Sequence, residues 1–315
     1  MKVSYLHLDV FADRPFRGNQ LAVFPEAMGL DGPLMQRIAQ EMAFAETTFV
    51  FPPESDAMDM RVRIFTPSRE LPMAGHPTIG TVFGLAEANR IAVGTEVVTL
   101  GLGVGPTPVY LEWTRGRLSF AWMKQPAPIF GYIADHVDRL AAALGIDARD
   151  IQGTRLPVQQ VSSGVPFLFV PLVSREAVDR AKLDRAAALA FFAANGGDEL
   201  PLFVFSVEPG DDDATAYSRM FAPLFGIPED PATGGASGPL GAYLLRHGAV
   251  TRKQAKRMVS LQGVAMGRPS RIAISVTGSD ESIDDVRVGG TSVSVASGTF
   301  EIGAYLHSNA VTRTA

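Results

Sequence analysis

Three residues stand where proton chemistry could be done. His76 and Asp230 each precede a proline, in Gly75-His76-Pro77-Thr78-Ile79-Gly80 and in Asp230-Pro231-Ala232-Thr233-Gly234-Gly235. A polar residue before proline predicts a helix N-cap with proline at the first helical position. Each helix start would present unpaired backbone N–H groups and the positive end of the helix dipole, a place for a carboxylate or phosphate. Gly75 and Thr78 at one start, and Gly234, Gly235 and Ala236 at the other, are therefore candidate substrate-binding positions. The third residue, Glu46, follows Ala43-Phe44-Ala45 and opens the run Thr47-Thr48-Phe49-Val50-Phe51. Desolvation among such neighbours pushes a carboxyl's pKa upward, the condition for a glutamate to exchange protons near neutral pH. Taken singly, ordinary capping explains the first two residues, and pairing with an arginine explains the third.

A repeat joins them. Arg63-Ile64-Phe65-Thr66-Pro67 returns as Arg219-Met220-Phe221-Ala222-Pro223, an offset of 156 in a chain of 315 residues. Phe49-Val50-Phe51 returns as Phe203-Val204-Phe205, and residues 18–25 are echoed by 164–171. His76 and Asp230 then occupy matched places, which predicts twin domains facing a common cleft.

The elements that must position these residues follow from periodicity and turn chemistry. Strands are expected over 3–11, 20–25, 46–51 and 60–65, with a helix over 31–43 capped by Asp31. The stretch 78–88 is apolar or small on every side, the mark of a buried helix. Hairpins are expected between 97 and 122, and a helical bridge between the halves over 135–149. The second half is expected to hold an Ala-rich helix over about 176–195. A helix led by Asp230 should follow, ending at Arg246-His247-Gly248. Strands from Gln262, Arg271 and Val286 complete it. Gly234, Gly235, Gly238 and Gly241 cost about 1 kcal/mol each relative to alanine inside a helix. That cost is intelligible if surrounding strands press close to the helix axis. The pattern is α+β, a buried helix among strands in each half, because regular β-α-β alternation is missing.

Composition narrows the chemistry. The net charge is −5 with Lys and Arg scattered, so no nucleic acid is expected as a partner. No segment reaches the roughly 18 apolar residues of a membrane span, and the start alternates like a strand instead of a signal peptide. A cytoplasmic location is the expectation. The absence of cysteine excludes disulfides, thiolate metal sites and thiol nucleophiles. His7, His76, His136, His247 and His307 show no ligand spacing, so no metal is expected. The glycine-rich run 101–106 reads as a hairpin turn, and Gly235-Ala236-Ser237-Gly238 has the wrong glycine spacing for a nucleophile elbow. Residues 262–270 form a polar turn, either a site loop or a tight connection.

Six blocks carry a resemblance: His7-Leu8-Asp9-Val10-Phe11, residues 18–24, Glu46-Thr47-Thr48-Phe49, Gly75-His76-Pro77-Thr78, Asp230-Pro231-Ala232-Thr233-Gly234 and Gly267-Arg268-Pro269-Ser270. In this order they resemble the phenazine-biosynthesis isomerase (PhzF-like) family. The resemblance implies a diaminopimelate-epimerase-like fold: two pseudo-symmetric domains, each a β-barrel wrapped around a central helix, with the site between them. Residues 1–125 with a C-terminal strand at about 297–308 would form the first domain, and 126–296 the second. It also implies a homodimer, and catalysis with neither cofactor nor metal. It makes Glu46 the general acid/base, has His76 and Asp230 orient substrate and tune the glutamate, and adds Asn19 to the substrate-binding set. Two positions depart from the family pattern: Gly235 stands where a serine is usual, and Ala265 where many relatives carry an acidic residue. The function so implied is a cofactor-independent isomerase moving a proton on a small carboxylic acid. The alternatives are an amino-acid racemase or epimerase with bases other than cysteine, and a metabolite-binding protein that lost turnover.

Overall fold

The chain passes twice through the same sequence of strand pairings. The computed structural model describes residues 1–223, 226–279 and 282–303. Contacts divide it into two compact units. One comprises Met1–Phe16, Gln20–Met123 and residues 291–303; the other comprises Arg17–Asn19 and, among the described residues, 124–290.

The first unit is built from β1 (Lys2–Val10), β2 (Asn19–Phe24), α1 (Gly32–Met42), β3 (Glu46–Phe51), β4 (Met60–Phe65), β5 (Glu70–Leu71), α2 (Gly75–Glu87), β6 (Val97–Leu102), β7 (Gly105–Thr114) and β8 (Arg117–Lys124). Strand β2 runs parallel to β3, β3 antiparallel to β4, and β4 parallel to β6, after which β6, β7 and β8 form antiparallel hairpins. Asp31 caps α1 by accepting from the Leu34 N–H at 2.9 Å. That helix carries the chain between the two parallel strands, as a parallel connection requires.

The second unit contains β9 (Ile129–Ile133), α3 (Val137–Leu144), α4 (Ala148–Gln152), β10 (Gln159–Ser162), β11 (Pro166–Pro171), α5 (Arg175–Arg180), α6 (Arg185–Ala194), β12 (Leu202–Ser206), β13 (Ala216–Ala222), β14 (Ile227–Asp230), α7 (Gly234–Arg246), α8 (Arg252–Ala255), β15 (Met258–Gln262), β16 (Ser270–Gly278) and β17 (Ile283–Gly290). Here β11 is parallel to β12, β12 antiparallel to β13, and β13 parallel to β15, followed by the antiparallel pairs β15–β16 and β16–β17. The sequence repeat is thus a repeat of topology. Within β12 the period of two sends Phe203 and Phe205 toward α7, and Leu202 and Val204 into the cluster built with α3, α5 and α6.

The last strand, β18 (Ser292–Glu301), pairs antiparallel with β1 from Val10↔Ser292 to Lys2↔Glu301. The boundary expected at 296/297 falls inside this strand. The remainder of that expected strand, beyond residue 303, lies outside the described residues.

Each unit winds its strands around one buried helix. Every residue of α2 from Gly75 to Leu85 is buried, and so is α7 from Ala236 to Leu245. The glycines permit the close approach that the sequence suggests. A Cβ on Gly80 would lie 2.5 Å from both Leu21 Cδ2 and Val10 Cγ2, and one on Gly241 would lie 2.5 Å from Ile274 Cγ2. Gly80→Ala is therefore expected to destabilise the fold by about 1–3 kcal/mol through overpacking, although alanine is the better helix former by about 1 kcal/mol. A chemical-denaturation series measures this, and a stabilised variant would refute the packing argument.

Three expectations are corrected. The proline-led helix starts lie elsewhere: α2 begins at Gly75 after Ala74, and α7 at Gly234 after Thr233, neither cap making a side-chain hydrogen bond. Pro77 fits the third helical position because the first four N–H groups of a helix have no intrahelical acceptor anyway. The Ala-rich stretch breaks into α5 and α6 because Arg219 Nη1 donates to the carbonyls of Val178, Asp179 and Ala181 at 3.0, 3.0 and 2.8 Å, ending the first helix. Finally, 135–149 is no bridge. It forms α3 and the start of α4, whose apolar faces pack into the second unit's own cluster through Leu140, Leu144 and Ile151. Among the described residues no helix is long and apolar enough to cross a membrane.

Candidate active site

Glu46 is the first residue of β3 and follows Ala43, whose left-handed backbone (φ 52°) turns the chain out of α1. The period of two puts Glu46 and Thr48 on the face that α2 covers, while Phe49 joins the cluster beneath α1. Thr48 marks the contact, accepting a hydrogen bond from the Thr81 hydroxyl of α2 at 2.9 Å. At the start of the same helix His76 meets Glu46, with 3.2 Å between Nε2 and Oε2. The two side chains are only 6% and 12% exposed. Burial drives the pKa of His76 from 6.5 down to about 3, opposed by a hydrogen bond to the Gln20 backbone, so the ring is neutral.

Sequence reasoning missed two neighbours of this pair. The Gln20 amide lies 3.3 Å from His7 Nε2, and the His7 ring packs on Phe44 with 4.5 Å between centroids. His7 stands at a bulge, since its partner in β18 is Ala296 while the partner of Leu8 is Ser294. Bulges re-aim side chains near functional sites. The available signal was a histidine inside an otherwise apolar alternation, within a block that already carried the resemblance.

In the second unit Asp230 ends β14 and sits opposite Met220. It is buried, and each carboxyl oxygen has a donor: the Asn19 amide at 2.8 Å on Oδ1 and the Thr233 hydroxyl at 2.5 Å on Oδ2. Gln262 fixes the arrangement. Its amide donates to the Asp230 carbonyl at 2.7 Å and to Thr233 Oγ1 at 2.9 Å, and its oxygen accepts from the Thr233 N–H at 3.0 Å. Thr233 Oγ1, already accepting from Gln262, must give its proton to Asp230. Burial still dominates: it raises Asp230 from 3.8 to about 6, against the pull of Thr233 and Asn19 and with a further push from the charge of Glu229. Gln262 and Thr233 were not among the expected site residues; a glutamine at a strand end carries no signal until the fold delivers it to Thr233.

The remaining expected positions lie at the helix starts. Gly75 opens α2, and Thr78 gives its hydroxyl to the Ala74 carbonyl at 2.7 Å. Gly234, Gly235 and Ala236 are the first residues of α7, where the Ala236 N–H bonds the Thr233 carbonyl at 3.1 Å. The N–H groups of Gly234 and Gly235 are the ones that helix geometry leaves for other acceptors. Among the described residues no group of three or more His, Asp or Glu side chains could hold a metal ion.

The chain and its fold match known proteins over most of their length. The family model of the PhzC-PhzF phenazine biosynthesis-like proteins matches residues 8–298. The trans-2,3-dihydro-3-hydroxyanthranilate isomerase of Pseudomonas aeruginosa is 36% identical over 295 residues, 93% of this chain and 98% of that protein. An uncharacterized isomerase of Mesorhizobium japonicum is 34% identical over 299 residues, 94% of this chain and 97% of its own. Among solved structures, a PhzF-family protein of Bacillus anthracis superposes with a TM-score of 0.84 at 27% identity, covering 96% of this chain and all of that one. A hydroxyproline epimerase of Agrobacterium vitis shares the fold at a TM-score of 0.64 and 11% identity, covering 95% of this chain and 92% of that one. With its strands wound twice around a buried helix, the chain belongs to the PhzC-PhzF phenazine biosynthesis-like family and is one of its isomerases.

Proposed function

We propose that this isomerase moves a proton between two carbons of a small carboxylic acid without a cofactor, Glu46 being the group that takes and returns it. The observation that carries the reading is the 3.2 Å approach of Glu46 to a neutral, buried His76. Neutral His76, held by a hydrogen bond to the Gln20 backbone, packs Nε2 against the Glu46 carboxyl and fixes where that carboxyl points. In the reaction the Glu46 carboxylate takes a proton from carbon and the C–H electrons form a new double bond. The existing double bond shifts along the molecule, and Glu46, once its proton has exchanged with water, delivers a proton at the far end. The molecular formula is unchanged, as an isomerisation demands. Asp230, half protonated near pH 6, orients the substrate together with Asn19 and the N–H groups at the start of α7.

The relative from Pseudomonas aeruginosa names the first compound to assay, trans-2,3-dihydro-3-hydroxyanthranilate. Incubation in deuterated water with this acid and a panel of small cyclic carboxylic acids, followed by NMR, tests the reading. A double-bond shift with label at the newly protonated carbon is the expected result. Racemisation of an amino acid with label at the α-carbon would replace the reading by the epimerase alternative. Acids that bind but exchange no hydrogen would leave a protein without turnover. The family resemblance implies a homodimer, which sedimentation of the purified protein tests.

Gly235 bears on specificity. A Cβ built there would meet Phe167 only at ordinary contact distance, 4.0 Å, so a side chain fits. Gly235→Ser, which introduces the serine that the resemblance implies at this position, is expected to change stability by less than about 0.5 kcal/mol. It should raise turnover of the dihydro-hydroxyanthranilate relative to wild type. Unchanged turnover in a folded variant would show that this hydroxyl does not set substrate choice.

A further inference from the structure

The turn after β15 brings an arginine back onto a distant part of the chain. Gly263 has φ +75°, and a Cβ on it would lie 2.5 Å from the carbonyl oxygens of both Pro231 and Arg268, so a larger residue is excluded. The turn closes through the Arg268 N–H to the Gly263 carbonyl at 3.0 Å. The Arg268 guanidinium then spans two consecutive peptides: Nε donates to the Gly18 carbonyl at 2.7 Å and Nη2 to the Arg17 carbonyl at 2.8 Å. Just upstream, the N–H of Phe16 donates to the buried carboxylate of Asp9 at 2.6 Å, with Phe16 at φ 69°. A bulky residue in that left-handed region persists only where its surroundings hold it. Residues 16–18 are thus pinned from both directions, and the next residue is Asn19. Its amide donates to Asp230 Oδ1 at 2.8 Å and to the Ala232 carbonyl at 3.2 Å.

We propose that Arg268 is a positioning residue for the reaction: by clamping the Arg17 and Gly18 carbonyls it holds the Asn19 amide on the carboxyl of Asp230. The inference rests on Asp230 being the substrate-orienting group. Arg268 acts through Asn19, by way of the Arg17 and Gly18 carbonyls. Glu229, whose charge pushes the Asp230 carboxyl upward, is itself paired with Arg219 at 2.8 and 2.9 Å. A planar fork suits two adjacent carbonyls, and a lysine ammonium, a single point charge, does not reproduce it.

The test needs no substrate, so its outcome is separable from that of the proposed reaction. The carboxyl carbon of Asp230 is followed by NMR across pH 4–8 in wild type, Arg268→Met, Asn19→Ala and the double variant. Each single substitution removes the same donor from the ionised carboxyl and moves the midpoint up by about one pH unit, a tenfold change in proton affinity. The double variant shifts no further than either single one. Arg268→Lys, the conservative variant, shifts it less and carries the test should Arg268→Met fail to fold. A midpoint that moves with Asn19→Ala but stays put in both Arg268 variants would overturn the proposal. So would two shifts that simply add. A merely structural arginine would lower the melting temperature and leave the midpoint in place.

Discussion

Glu46→Gln is expected to lower turnover by about 10²- to 10⁴-fold, the contribution of a positioned general acid or base. The amide keeps the shape of the carboxyl and can donate to Nε2 of His76, so the fold and the approach between the two side chains survive. What it loses is the ability to accept a proton from carbon. Binding of the acid should change little, which separates this variant from one that merely disrupts the site: the loss falls on kcat and not on KM. Circular dichroism and melting temperature matching wild type would show that the loss is chemical. A folded Glu46→Gln enzyme with wild-type kcat would remove the glutamate from the mechanism.

The second large effect is on stability, and it has a sign. Asp230 titrates near 6 in the folded protein against 3.8 when unfolded, so between those pH values the folded state holds a proton that the unfolded state has lost. Stability from this group is complete below about pH 3.8 and is lost as pH rises through 6, at about 1.4 kcal/mol per pH unit and about 3 kcal/mol in all. His76 acts in the opposite sense. Its folded pKa, about 3 against 6.5, makes its contribution complete above 6.5 and lost as pH falls. In wild type the two slopes offset each other between pH 4 and 6. Asp230→Asn removes one of them while keeping a side-chain oxygen for the Asn19 amide. The variant's stability relative to wild type should therefore grow by about 3 kcal/mol from pH 4 to pH 7. Urea denaturation at a series of pH values measures the difference. A difference that is flat with pH, or that shrinks as pH rises, would mean that Asp230 is not a buried, reluctant acid.

Why some of this was legible in the sequence and some was not follows from the range of the interactions. The apolar or small residues all round α2 and the glycines of α7 announced buried helices, because a helix in contact with strands on every side has a composition of its own. The runs Glu46–Phe51 and Met60–Phe65 gave their strands to the residue, since β-branched and aromatic alternation is a local property. Asp31 was readable as a cap for the same reason. The two proline motifs misled because local chemistry offered capping while tertiary contacts had other uses for the residues: His76 lies inside its helix facing Glu46, and the Asp230 backbone is held in a strand by Gln262. The break between α5 and α6 was invisible because its cause, Arg219, sits 38 to 41 residues further along. Of the candidate positions, Glu46, His76, Asn19 and Asp230 were named from recurring blocks. Gln262, Thr233, His7 and Arg268 were not, since each acts through a partner that only the fold brings near.

The central claim is that one carboxyl carries the hydrogen that moves. Its most direct test follows hydrogen at the reacting carbons by NMR in deuterated water, with wild type and Glu46→Gln side by side on whichever acid the wild-type enzyme converts. The account predicts conversion with label entering the newly protonated carbon in wild type, and neither conversion nor exchange in the variant over the same interval. Exchange at the wild-type rate by the glutamine variant would contradict it.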